Sequence, residues 1–274
     1  IFETAASYES KHGAELVGIN MEGPYLSYAK KGAQNEAYLK TPDIEHFKRM
    51  QKLSGNLIKL VDIAPEETGA MDFIRAVKDE VVVSLAHTTA DYETASLAFQ
   101  NGASHVTHLY NAMPAFSHRN PGVIGAAFDT EHVMVELICD GVHIAPSVVR
   151  ATFKMFGDDR IILISDSMRA TGLNDGEYSL GGQKVIVSKG KATLEDGILA
   201  GSTTNLMACM KQAVSMGIPL ASAVKCASVN PAKQLGLYDK YGSLDAGKYA
   251  NIVLLDQDLN IKNVIVKGKV YVDK

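Results

Sequence analysis

Residues 81–111 read VVVSLAHTTADYETASLAFQNGASHVTHLYN, and they lay out one unit of the fold. A short β-branched run, Val81–Ala86, stops at His87. A helical stretch follows at Tyr92–Phe99, its apolar residues near the 3.6-residue period. A second apolar run starts at His105 and reaches Tyr110, with His108 near its end. Short, nearly continuous apolar runs separated by helices indicate parallel strands covered on both faces.

The alternation extends in both directions. Runs at Leu16–Asn20, Ile58–Ile63, Val133–Ile138 and Ile161–Ile164 bring the strands to six, and Met71–Lys78 is another amphipathic helix. Six would satisfy a doubly wound open sheet, whereas a closed barrel takes eight. The exits decide between them. Each run leads to a chemically useful residue: Glu22, Glu66, His87, Asn111, Asp140 with His143, and Asp166. A doubly wound sheet gathers such groups at one crevice, while a barrel mouth receives them from every strand. The expected fold is therefore α/β, a (β/α)8 TIM-like barrel. Two of its strands are expected upstream of Ile1, because the chain opens without Met and residues 1–12 read as a helix already under way.

After Asp166 the pattern changes. Tyr178–Gly201 alternates between glycine turns and reads as an inserted β-hairpin. Asn205–Met216 and Leu220–Ala227 look helical, and Asn230-Pro231 starts another short helix. Ile252–Leu255, Ile261–Val266 and Val270–Val272 are again strand-like. The expected organisation is a barrel over 1–241, interrupted by the hairpin around 178–201. Residues 242–274 then form the C-terminal part of a small β-sandwich-type domain.

Composition removes several partner classes. The 274 residues carry 27 Lys+Arg against 31 Asp+Glu, a net charge of −4. With no basic surplus to neutralise phosphates, nucleic acid is not the expected partner. A small anion needs only one or two local cations. The longest apolar runs are too short to span a bilayer, so no membrane partner is expected. Cys139, Cys209 and Cys226 are odd in number and widely spaced, which suits a reducing cytoplasm better than a disulfide framework.

Six of the eight histidines fall between 87 and 143. A lone histidine at a strand end is more often a core or surface residue than a ligand. Glu22, His87 and His108, from three strand ends of one mouth, together form an imidazole–carboxylate set suited to Zn²⁺ or a similar divalent ion with an open position. His105, three residues before His108, should face elsewhere and be structural, and His12, His46 and His132 read as surface residues. Asp166 ends an apolar strand. Beside a metal it can take a proton from water and pass it to a leaving group, although an Asp there can also cap the next helix. The segment Thr107–Gly125 is too elaborate for a plain connection. It carries Asn111, His118 and Arg119, and the planar fork of Arg suits phosphate or carboxylate. The alternative is a solvent-facing basic pair.

Several motifs then occur in a telling order. They are Glu22-Gly23-Pro24-Tyr25-Leu26, Ala86-His87-Thr88, Thr107-His108-Leu109-Tyr110-Asn111-Ala112-Met113, His118-Arg119-Asn120-Pro121-Gly122, Asp140-Gly141-Val142-His143 and Ser165–Gly172. This series resembles the N-acetylglucosamine-6-phosphate deacetylase family over essentially the whole chain, and Gly242–Asp256 is similar to the closing segment of the wider amidohydrolase superfamily. The resemblance implies a metal-dependent hydrolase barrel with Glu22, His87 and His108 as metal ligands and Asp166 as catalytic acid/base. It implies that His143 hydrogen-bonds substrate and helps polarise the acetamide carbonyl, and that Asn111 and Ala112 contact the sugar phosphate. It further implies a homodimer in which Arg119, with His118 beside it, reaches the phosphate in the neighbouring subunit's site. Ala86-His87-Thr88-Thr89 departs from the family's more usual Gly-His-Ser-Asn, and Asn120 stands where Glu is common, with no ligand removed. Some members bind a second metal through a His-x-His pair on the first strand, so one or two ions (Zn, Fe or similar) are expected. The implied reaction is hydrolysis of N-acetylglucosamine 6-phosphate to glucosamine 6-phosphate and acetate, with Asp166 as general base and then acid. The alternatives are an amidohydrolase for another amide or ring substrate, or an inactive truncated fragment.

Overall fold

The computed structural model describes residues 1–10 and 13–271. Six short strands share one sheet: β1 (Ile19–Met21), β2 (Ile58–Ile63), β3 (Val82–Leu85), β4 (His105–Val106), β5 (Met134–Ile138) and β6 (Ile161–Ile164). Their spatial order is their chain order, and every neighbouring pair is parallel. A doubly wound sheet reverses its strand order at a switch point, and this one never does. A sheet wound in one sense is the wall of a barrel. β1 and β6 are its edges, and a gap of about 430 Å³ lies between them, lined by Ile19, Leu60, Ile162 and Leu206 among others.

Helices fill the connections: α1 (Phe2–Ala6), α2 (Ile44–Leu53), α3 (Ala70–Val77), α4 (Tyr92–Asn101), α5 (Gly122–Asp129), α6 (Pro146–Phe156), α7 (Leu206–Ser215), α8 (Leu220–Ala227) and α9 (Val229–Gln234). Their starts follow side-chain chemistry. Asp43 accepts from the His46 N–H at 3.0 Å, Asp91 from Thr94 at 2.8 Å and Asn205 from Ala208 at 2.9 Å. Between helices and sheet lies one continuous apolar core running from Met21 to Cys226, with all three cysteines buried and free.

The expected boundaries fail most clearly at β4, which pairs over only two residues rather than continuing to Tyr110. The cause is backbone conformation: His108 and Tyr110 adopt φ of 32° and 79°, which turns the chain out of the ladder. The insertion is a three-stranded antiparallel sheet rather than a hairpin: β7 (Gly176–Leu180), β8 (Gln183–Ser188) and β9 (Lys191–Leu194). It has its own small core of Met168, Val185, Val187 and Leu194. A third sheet holds β10 (Ile252–Leu255), β11 (Ile261–Val266) and β12 (Lys269–Tyr271). His132 is exposed as expected, but His46 is half-buried, because its Nδ1 sits 2.8 Å from the hydroxyl of Tyr25. His12 and Val272 lie outside the described residues. No helix among the described residues is long and apolar enough to cross a membrane.

One aromatic cluster fixes the segment that leaves β1. Tyr25, fully buried three residues beyond Glu22, packs on Phe73 of α3 with ring centroids 4.9 Å apart, and Phe73 meets Phe47 of α2 at 5.6 Å. Phe73→Ala removes the shared ring and leaves a cavity, so it should lower unfolding stability by about 3–5 kcal/mol. A denaturant titration that finds less than about 1 kcal/mol would contradict this packing role.

Candidate active site

Glu22, His87 and His108 each follow the end of a strand, so the curl of the sheet carries all three to one mouth. The turns that aim them are unusual. His87, His108 and Asp166 have φ of 45°, 32° and 48°, a region that residues with a Cβ seldom adopt and that clusters at functional sites. Hydrogen bonds between neighbouring exits hold these turns. The Ser27 N–H donates to the His87 carbonyl at 3.0 Å, Thr88 to Ala112 at 3.0 Å, and Leu109 to Glu136 at 2.9 Å. Glu66 braces the turn after His87 by accepting from the hydroxyl of Thr89 at 2.9 Å and from that of Thr88.

The three donor atoms face one point. Glu22 Oε1 lies 2.9 Å from His87 Nε2 and 3.5 Å from His108 Nε2, and the two imidazole nitrogens are 3.1 Å apart. An ion bonded at about 2.0–2.1 Å with tetrahedral angles sets its ligands roughly 3.3–3.4 Å apart. The spacing fits. His87 Nδ1 lies 2.8 Å from the Lys30 carbonyl oxygen, which can only accept, so Nδ1 carries the proton and Nε2 presents its lone pair. His108 Nδ1 is buried with no hydrogen-bond partner, so this ring engages polar groups only through Nε2, toward Glu22 and His87. A carboxylate and two imidazoles arranged in this way can hold a divalent cation.

Electrostatics favour a cation there. Burial opposes ionisation of Glu22, but the adjoining imidazoles of His108 and His87 hold its carboxyl well below the usual range. Burial pulls His108 down, and the Glu22 carboxylate more than reverses this, to about 9. Asp166 is pushed up to about 6 by burial and by the charge of Glu22. Beneath the mouth lies a buried polar belt. Thr107 Oγ1 donates to Asp62 at 2.8 Å and lies 2.7 Å from Ser84 Oγ, which in turn is 3.0 Å from His105 Nδ1. Burial raises Asp62 well above the usual carboxylate range, raises Glu136 to about 7, and lowers His105 to about 3. His105 is thus a neutral structural imidazole, as its sequence position suggested. Glu136 also accepts the backbone N–H of His108 at 3.2 Å, supporting the turn that aims this residue. Among the described residues, Glu22, Asp62, Glu136 and Asp166 have no Lys or Arg in an ion pair.

A cavity of about 660 Å³ opens above the donors. Glu22, His87, His108, Asn111, Ala112, His143 and Asp166 all line it. His143 is oriented by Asp140, whose Oδ2 lies 2.7 Å from its Nδ1. His118 and Arg119 are exposed and do not line this cavity. Sequence reasoning missed Lys30, Gln34, the Leu180-Gly181 turn and Ile198-Leu199, all of which form its walls. The lysine sits within the strand exit that begins at Glu22. Nothing in local sequence marked the two insertion segments, because they reach the cavity only through tertiary contacts. Asn35 Nδ2 donates to the Gly181 carbonyl at 3.0 Å and Gln183 Nε2 to that of Ala33 at 2.7 Å.

This geometry coincides with what comparison finds. The model of the Amidohydrolase family matches residues 5–271. The chain belongs to the amidohydrolase family. It is 42% identical over 268 residues to an N-acetylglucosamine-6-phosphate deacetylase of Bacillus subtilis (strain 168), covering 97% of this chain and 68% of that one. It is 35% identical over 259 residues to an N-acetylgalactosamine-6-phosphate deacetylase of Escherichia coli O157:H7, covering 94% and 68%. Among solved structures, it resembles a mutant N-acetyl-D-glucosamine-6-phosphate deacetylase of Mycobacterium smegmatis in complex with N-acetyl-D-glucosamine-6-phosphate. The TM-score is 0.90 at 37% identity, covering 93% of this chain and 68% of that one. The amidohydrolase architecture agrees with the singly wound parallel sheet and its separate antiparallel sheets.

Gly201 closes one side of the site. A Cβ there would lie 2.9 Å from the Asp166 carbonyl oxygen, and its φ of 65° disfavours any side chain. Gly201→Ala should therefore destabilise the chain by about 1–3 kcal/mol. An unchanged denaturation midpoint would show that the Asp166 turn can yield at no cost.

Proposed function

We propose that this chain hydrolyses the acetamide of N-acetylglucosamine 6-phosphate, releasing acetate and glucosamine 6-phosphate. The observation that carries the reading is the convergence of Glu22, His87 and His108 in the cavity that Asp166 and His143 also line, within a chain 42% identical to a curated deacetylase of this substrate. A cavity of about 660 Å³ is of the size that small-molecule sites occupy.

Glu22, His87 and His108 hold a divalent ion, zinc, iron or similar. When bound, it supplies Lewis acidity that polarises the acetamide carbonyl and makes water more acidic. Asp166 takes a proton from the attacking water as the new C–O bond forms. It then delivers that proton to the nitrogen as the C–N bond breaks, so the carboxylate is regenerated. Partial burial suits this double duty, because it brings the Asp166 carboxyl, at about 6, closer to working pH than an exposed Asp. His143, with Nδ1–H given to Asp140, offers Nε2 on the cavity side. There it hydrogen-bonds the substrate and helps polarise the acetamide carbonyl as negative charge develops on its oxygen. Asn111 and Ala112 contact the sugar phosphate.

The same reading extends to assembly. His118 and Arg119 stand exposed beside Phe116, which is 49% exposed, as a loop that reaches into a neighbouring subunit's site would require. A homodimer with Arg119 crossing the interface follows. Residues 1–241 form the barrel unit, with the insertion around 178–201, and 242–274 belong to a small β domain. The separate sheet of β10–β12 supports that division. The buried free thiols suit a cytoplasmic setting.

Metal analysis and acetate release, followed on one preparation, test the core of the proposal. About one or two ions per chain with acetate formed from N-acetylglucosamine 6-phosphate is the expected result, and stoichiometric metal without turnover would redirect the search to another amide. Asp166→Asn should keep its metal and lose about 10²–10⁴-fold in turnover. Near-normal turnover in that variant would sink the proton-transfer role.

A further inference from the structure

A substrate phosphate needs positive charge beside it, and the basic side chains expected from the sequence, His118 and Arg119, stand outside the cavity of their own chain. Among the residues lining that cavity, only Lys30 carries a fixed positive charge. Lys30 ends the 3₁₀ turn Tyr28–Lys30 and is half-buried. Its Nζ reaches the loop after β4, 3.4 Å from the Met113 carbonyl oxygen. Asn111 and Ala112, immediately before Met113, line the same cavity. The Ala112 N–H, in a residue with φ of 51°, donates to no described residue. An ammonium and an unspent amide N–H in one wall are donors that a phosphate can use together. The long contact to Met113 is weak, and a lysine's flexible stem lets the charge move to a stronger acceptor. The Lys30 carbonyl, by contrast, is committed to His87 Nδ1.

We propose that Lys30 Nζ is the chain's own anchor for the substrate phosphate, which deepens the sugar-phosphate reading above and rests on it. The residue then serves two places at once: its main chain sets the proton on His87, and its side chain binds the group that identifies the substrate. A substitution separates the two, because it deletes the ammonium and leaves the carbonyl.

The test compares wild type, Lys30→Met and Lys30→Arg on N-acetylglucosamine 6-phosphate and on unphosphorylated N-acetylglucosamine, with metal content measured for each. The preference for the phosphorylated sugar, as a ratio of kcat/KM values, should fall about 10- to 100-fold in Lys30→Met, mainly through KM. Lys30→Arg should restore most of it, and competitive inhibition by inorganic phosphate should weaken in parallel with the ratio. Metal content should stay at the wild-type level. An unchanged ratio in Lys30→Met overturns the proposal, and so does loss of both activities in step with loss of metal. If wild type itself shows no preference for the phosphorylated sugar, the sugar-phosphate reading fails first and the anchor falls with it.

Discussion

Two imidazole nitrogens and a carboxylate oxygen meet within 3.5 Å of one another at the mouth of the sheet. Lone-pair donors so close together repel unless a proton or a cation lies between them, and much of the surrounding structure serves to hold them there. The curl of the parallel sheet brings the ends of β1, β3 and β4 together. Left-handed turns at His87 and His108 swing the rings inward, and the Lys30 carbonyl chooses the tautomer of His87. The Tyr25–Phe73–Phe47 stack fixes the segment just beyond Glu22.

Below this point the fold tolerates a second costly feature. Asp62, Ser84, His105, Thr107 and Glu136 are buried polar residues inside the sheet, where an apolar layer would be cheaper. Their hydrogen bonds offset part of that cost, and burial keeps His105 uncharged. The belt also reaches the site directly, because Glu136 accepts the His108 backbone N–H. Side chains on the inner face of the sheet thus help to hold the groups at its rim.

The walls of the cavity come from farther away. The β7–β9 insertion has its own core, yet its Leu180-Gly181 turn and the Ile198-Leu199 segment close over the mouth. It is tied to the Ala33–Asn35 loop by two side chain-to-carbonyl hydrogen bonds. Rim and insertion therefore shape one enclosure around Asp166 and His143, while the His118-Arg119 loop stays outside it.

The amino-acid sequence by itself determined the repeating strand–helix unit, the chemistry of each strand exit and the residues able to bind a metal. Val/Ile periodicity, and Glu or His placed directly after an apolar run, are local properties that need no folded chain to be read. β2 and β6 were legible to the residue, because β6 is an unbroken apolar run and β2 is one interrupted only by Lys59 and Asp62. β4 was not, because its early end depends on positive φ at His108 and Tyr110, which hydropathy does not encode. Tertiary structure alone decided that the Leu180-Gly181 and Ile198-Leu199 segments close over the mouth, that Asp62, Ser84, His105 and Thr107 join in one buried hydrogen-bonded belt, and that Lys30 faces the cavity. Each of these depends on which distant segments the curl of the sheet brings within hydrogen-bonding range, and that range is set by packing in three dimensions.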